Sequence, residues 1–286
     1  MVTRRTTQRQ FLLRPSKVIN QCIKYCVAIA AEKSEVELHA LVFMSNHYHI
    51  ILTDIEGKLP VFTETLNRLI AKALNVYHDR GENFWAGHVQ PSHVILPERM
   101  DVLNKLVYLL CNPVEAGLVK EGKDWPGVRL FVAGSYVCKR PSFYFRDEDK
   151  GGSMPKKMKL KLGLPESLGD SKAAFKELKE LIKDQELLLQ EAHKKAGKSY
   201  LGKEAVKRQS IESIPSTAGK ESTLSPRLAC RDKWRRMEIL QLMKSFLESY
   251  KEAWGRFKGG DIHVEFPLGS YRMGNIKAVG IAEADC

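Results

Sequence analysis

The sequence predicts an α+β fold, with a sheet-and-helix domain over residues 1–126, a linker region over 127–170 and a mainly helical extension over 171–286. Three observations carry this. Two β-rich runs, residues 36–44 and 47–53, flank the turn-forming pair Ser45-Asn46. Apolar residues recur at helical spacing both before and after that hairpin. Beyond about Trp125 the dense pattern gives way to basic and polar stretches, 154–161 and 209–225, that separate two strongly helical segments.

The elements follow in order. After a short extended opening, Pro15-Ser16 starts a helix, because serine caps well and a nearby proline fits only the first turn. Ile19, Cys22, Ile23, Cys26 and Ala30 then share one face of it. The hairpin comes next. If Ser45-Asn46 is a two-residue turn, Val42 pairs with His49 and Leu41 with Ile50. A long amphipathic helix buries Phe62, Leu66, Leu69, Ile70, Ala73 and Tyr77, and Val94-Ile95-Leu96 marks another strand. The following helix starts near Glu98 and is expected to stop near Asn112, since Pro113 pushes the residue before it out of the α region. This β-α-β-β-α-β order, followed by a helix, is the ferredoxin-like split βαβ pattern. Fold alone assigns no function.

In the extension, residues 172–195 read as a solvated helix rich in Glu and Lys at supportive spacing. Residues 231–258 carry a broad apolar stripe (Trp234, Met237, Leu240, Phe246, Leu247, Tyr250, Trp254) that is expected to pack, most simply as a core helix. Residues 264–269 read as a short strand and turn.

Composition narrows the classes. No apolar run approaches the ~20 residues of a membrane span, so no membrane partner is expected. The six cysteines are scattered without a C-x-x-C pair, which argues against a zinc ribbon or a disulfide framework. A reducing compartment, most simply the cytoplasm, is the expected location. The net charge of +12 favours polyanionic partners, because neutralising phosphates releases counterions.

The sharpest local signal is Asn46-His47-Tyr48-His49. Side chains alternate along a strand, so His47 and His49 point the same way, about 6.6 Å apart along the chain, where two neutral imidazoles can share a metal ion. His39 faces away from the pair in this register. A second signal is Tyr108, which sits on the polar face of its helix with Asn104, Lys105 and Asn112 instead of among the leucines. Asn112 lies one turn below it, at i+4. Alone, an H-x-H pair, a surface tyrosine or a helix-ending asparagine is ordinary. Together they supply a metal to draw charge from a phosphate and a phenol to attack it. Phenol ionises near pH 10, so a nearby cation must help, and Lys105 is either that helper or a phosphate clamp.

These motifs resemble a known family. Asn-His-x-His on a strand, Phe84-Trp85 before the next strand, the run Tyr-x-x-x-Asn-Pro-Val-x-Ala-Gly-Leu-Val at 108–119 and Asp124-Trp125-Pro126 look like the REP-associated tyrosine transposases, single-tyrosine HUH enzymes. The resemblance covers about residues 1–126. It implies a ferredoxin-like catalytic domain acting on single-stranded or hairpin DNA. It further implies that His47 and His49 hold Mg²⁺ or Mn²⁺ with Asn112 as third ligand, and that Tyr108 forms a 5′-phosphotyrosine link. Leu201-Gly202-Lys203, Ser225-Pro226-Arg227 and the 231–258 helix resemble the extension of larger bacterial members. Tyr48 stands where an aliphatic residue is usual, and the match starts so early that the first strand is expected to be short.

Arg4, Arg5, Arg68, Lys72 and Arg80 are then candidate phosphate contacts, and Tyr77, Phe84 and Trp85 candidate stacking platforms. A homodimer is left open. The rivals are a relative that binds hairpin DNA without transposing and a small-molecule metallohydrolase. The latter would need a further ligand, which the motif neighbourhood does not clearly supply, His88 and His93 lying on a loop or strand of unknown facing.

Overall fold

The computed structural model describes residues 1–87, 91–146, 152, 154–216, 226–270 and 280–281. Its first part is an α+β arrangement of β1 (Val2–Arg5), α1 (Lys17–Ser34), β2 (Glu37–Phe43), β3 (His47–Thr53), α2 (Leu59–His78), β4 (Ser92–His93) and α3 (Arg99–Glu115). A further strand, β5 (Arg129–Leu130), adds to the edge of β2, giving an antiparallel sheet in the order β4-β1-β3-β2-β5. Ser16 caps α1 as its position predicts, its hydroxyl accepting the Ile19 N–H at 3.1 Å. The predicted hairpin register is the observed one, Val42 opposite His49 and Leu41 opposite Ile50.

The two faces of the sheet bury different cores. Leu41, Phe43, Tyr48 and Ile50 pack with the apolar stripes of α1 and α2. Ala40, Val42, Met44 and Ile51 pack with Leu103, Leu106 and Leu110 of α3. The strand period of two therefore decides which helix each β3 side chain meets.

Several expectations change. Helix α3 runs through Pro113 to Glu115 instead of stopping at Asn112. Asn112, Pro113 and Val114 are buried there, and tertiary packing outweighs the local cost of a proline in the last turn. Tyr77, expected in the core, is exposed near the end of α2. The strand read at 94–96 lies earlier, at β4, and Ile95 instead bridges to Leu228. Strand β1 is short, yet its four residues pair with Ile50, His49, Tyr48 and His47, so it spans the whole histidine pair.

The region read as a linker carries a hairpin, β6 (Gly134–Lys139) and β7 (Lys157–Leu162). Its Cys138, Met158, Leu160 and Leu162 join the core on the α1 side, where the Tyr25 hydroxyl donates to the Pro155 carbonyl at 2.6 Å. Helix α4 (Ser171–Lys195) is solvated on one side only, because Ala174, Leu178 and Ile182 pack against α3. After the short α5 (Lys203–Arg208), α6 (Lys233–Lys258) departs from the expected core helix. Trp234 is 74% exposed, and Met237, Leu240, Leu247 and Trp254 are exposed as well. Among the described residues its end is the packed part, with Ala253, Tyr250 and Phe257 on Val264 and Phe266. Phe266 belongs to β8 (Glu265–Phe266), the strand expected at 264–269, which pairs in parallel with β9 (Gly280–Ile281). No helix among the described residues is long and apolar enough to cross a membrane.

Candidate active site

Strand alternation puts His47 and His49 on the sheet face beneath α3, their ring centroids 4.9 Å apart and nearly perpendicular. Each ring is held at Nδ1. The Nδ1–H of His47 donates to Asn46 Oδ1 at 2.7 Å, and Nδ1 of His49 shares a hydrogen bond of 2.8 Å with Thr3 Oγ1. Thr3 arrives there because β1 pairs it with His49. Oxygen partners at Nδ1 are how proteins orient metal-binding imidazoles and leave Nε2 for the ligand. His49 is 5% exposed, and its Nε2 is buried with no hydrogen-bond partner among the described residues. Burial lowers the pKa of both rings. That of His47 is pushed down to about 4, with Arg5 and Arg9 adding to the effect and the Asn112 amide, as acceptor, opposing it. His49 is lowered well below the usual range by burial, then by His47 and Lys105. Both are therefore neutral at pH 7, the form that ligates metals.

Helix α3 brings its polar face over this pair. The Tyr108 ring lies 5.7 Å from the His49 ring, centroid to centroid, at 73°. The ring is 39% exposed, with Lys105 Nζ 5.2 Å from its centroid. Asn112, largely buried and one turn beyond Tyr108 on α3 at i+4, lies close enough to both Tyr108 and His47 to influence their ionisation. Burial raises the Tyr108 pKa and Glu115 adds to this, while the Asn112 bond opposes it. The resting phenol is thus protonated, and its ionisation depends on positive charge nearby.

Among the described residues no group of three His, Cys, Asp or Glu side chains is placed to share a metal ion. The donor set at this site is instead two imidazoles and one amide. The orphaned Nε2 of His49 fits a ligand position, because a buried polar atom without a partner is costly unless something binds it.

The structure divides the predicted DNA contacts between the two sheet faces. Arg5, opposite His47 on β1, and Lys105 lie on the tyrosine side. Arg4 points to the other face, its guanidinium 5.6 Å from the Trp85 ring, and Arg68 borders the same cleft. Lys72 is exposed on α2, one turn beyond Arg68. Trp85 is not an open stacking platform. It is 6% exposed, meets Tyr48 edge-on, and donates its indole N–H to the Asn67 carbonyl at 2.9 Å. Phe84 is buried too, since both aromatics close the core where the chain returns to β1. His39 is engaged elsewhere, bonded to Gly163 and Thr53. His93 pairs opposite Val2 and lies on the α2 side, away from the pair. His88 lies outside the described residues. Thr3 and Asn46 were missed as supporting residues. The second is adjacent in sequence to His47 and could have been found, whereas the first becomes visible only through the β1–β3 pairing.

No family model matches the chain, and no curated protein or solved structure matches it either.

Proposed function

We propose that this protein cuts and rejoins single-stranded or hairpin DNA through a covalent tyrosine intermediate, as the resemblance to the REP-associated tyrosine transposases implies. The observation that supports it best is the meeting of Tyr108, Asn112, His47 and His49 from two elements distant in sequence. The strand order β4-β1-β3-β2 within the sheet favours the ferredoxin-like reading of the domain.

In this reading the Tyr108 Oη attacks a DNA phosphorus, forming a phosphotyrosine bond while the bond to the 3′-oxygen breaks. The phenol proton passes to solvent, and the released oxygen takes up a proton as a free 3′-hydroxyl. Reversal with a different 3′-hydroxyl rejoins the strand. His47, His49 and Asn112 would hold Mg²⁺ or Mn²⁺, which when bound draws charge from the scissile phosphate and helps the phenol ionise. Asn46 Oδ1, which can only accept, keeps the proton of His47 on Nδ1, and Thr3 Oγ1 holds the His49 ring in place. Lys105, beside the phenol ring, favours phenolate and phosphate alike. Arg5 lies where it can meet the DNA backbone next to the pair.

The test is incubation with labelled hairpins from the flanks of its own gene and Mg²⁺ or Mn²⁺. A DNA adduct that resists denaturation, requires metal and disappears in Tyr108→Phe and His49→Ala supports the reading. Tight hairpin binding without any adduct replaces it with a DNA-binding relative that has lost transposition.

A further inference from the structure

On the opposite face of the sheet, α2, Arg4 of β1 and the C-terminal segment enclose a cleft of about 900 Å³. That size is ordinary for a small-molecule site. We propose that this cleft holds a single unpaired nucleotide, and that the extension serves to supply its second wall. The idea rests on the nucleic-acid reading above but does not use the tyrosine.

Three residues that line the cleft each carry a polar atom buried without a hydrogen-bond partner among the described residues: Arg4 Nε, Asn67 Nδ2 and Ser270 Oγ. Asn67 is 6% and Ser270 5% exposed. The other polar atoms of Asn67 are used, since its Oδ1 accepts from the Tyr48 hydroxyl at 3.0 Å and its carbonyl from Trp85. What remains is its Nδ2, buried at the cleft wall without a partner among the described residues. Ser270 reaches it through a turn in which Gly269 takes φ +94, a conformation side chains disfavour, and the Ser270 N–H closes on the Pro267 carbonyl at 3.1 Å. Buried unpaired donors call for an acceptor-rich partner.

Shape and charge narrow that partner. Phe246 and Tyr250, one turn apart on α6, present nearly parallel rings with centroids 6.4 Å apart at 28°. Such faces suit a planar ring. Arg68, exposed at the rim of the cleft, suits an attached phosphate. A planar, acceptor-bearing, anionic ligand is a nucleotide, either within a DNA strand or free.

The experiment measures binding of fluorescein-labelled single-stranded hexadeoxynucleotides by the full-length protein, with deoxynucleoside 5′-monophosphates as competitors. Phe246→Ala and Ser270→Ala, with circular dichroism confirming their fold, are expected to weaken the hexamer about tenfold. Competition by millimolar monophosphates marks free nucleotides as ligands, and competition by unlabelled strands alone marks a strand site. Unchanged hexamer affinity in both variants overturns the proposal, even if the tyrosine adduct forms normally. Weakened binding with no adduct at all keeps the cleft and removes the transposase reading instead.

Discussion

At the residue scale, the candidate site depends on groups beyond Tyr108 and the histidine pair. Thr3 Oγ1 fixes the His49 ring, and outer partners of this kind change metal affinity or activity by about 10–100-fold when removed. Thr3→Val is therefore expected to weaken Mn²⁺ binding about tenfold with the fold intact, measured by calorimetry on the purified protein; unchanged affinity would detach Thr3 from the site. His39 gives a pH prediction. Burial lowers its pKa below 6.5, so the folded chain holds this proton less tightly than the unfolded chain. Its contribution is fully present above pH 6.5 and is lost as the pH falls through the lowered value. Urea midpoints should drop with acidity, and His39→Gln should drop less steeply over the same range. The histidine pair and its hairpin register were legible because a two-residue turn fixes which side chains share a face. Thr3 was not, because its pairing joins residues 46 apart, where no local periodicity reaches.

At the element scale, α3 shows where local rules yield to packing. Pro113 predicts a stop at Asn112, yet burial of Asn112, Pro113 and Val114 carries the helix one turn further. That extra turn keeps Asn112 helical and in register with Tyr108. Helix α4 makes the same point in reverse. Its many charges suggested a solvated rod, but Ala174, Leu178 and Ile182 dock it on α3, with Glu177 paired to Arg99 and Glu186 accepting from the Gly122 N–H. Leu178→Ala should cost about 2–5 kcal/mol in denaturant unfolding, the usual range for a buried leucine. A loss below about 0.5 kcal/mol, typical of surface positions, would mean that α4 does not dock in solution.

At the scale of the whole molecule, the sheet separates two kinds of surface. The tyrosine, both histidines, Arg5 and Lys105 share one side, while Arg4, Arg68 and the cleft with α6 share the other. The positive charge was legible from composition, but its division between faces was not, since that follows from strand parity and the order β4-β1-β3-β2-β5. The exposed stripe of α6 was equally hidden, because an amphipathic pattern specifies an apolar face and not its partner. Hairpin binding should fall steeply with salt, and Lys105→Gln should reduce the slope of log affinity against log salt by about one. A flat salt profile would argue against a nucleic-acid partner.

The most direct measurement is mass spectrometry of protease-digested protein after reaction with hairpin DNA and Mn²⁺. A nucleotide attached through its 5′-phosphate to the peptide containing Tyr108, with a free 3′-hydroxyl on the released strand, is the predicted result. Attachment at Tyr48, or adduct formation that persists in Tyr108→Phe, would contradict the assignment of Tyr108 as nucleophile.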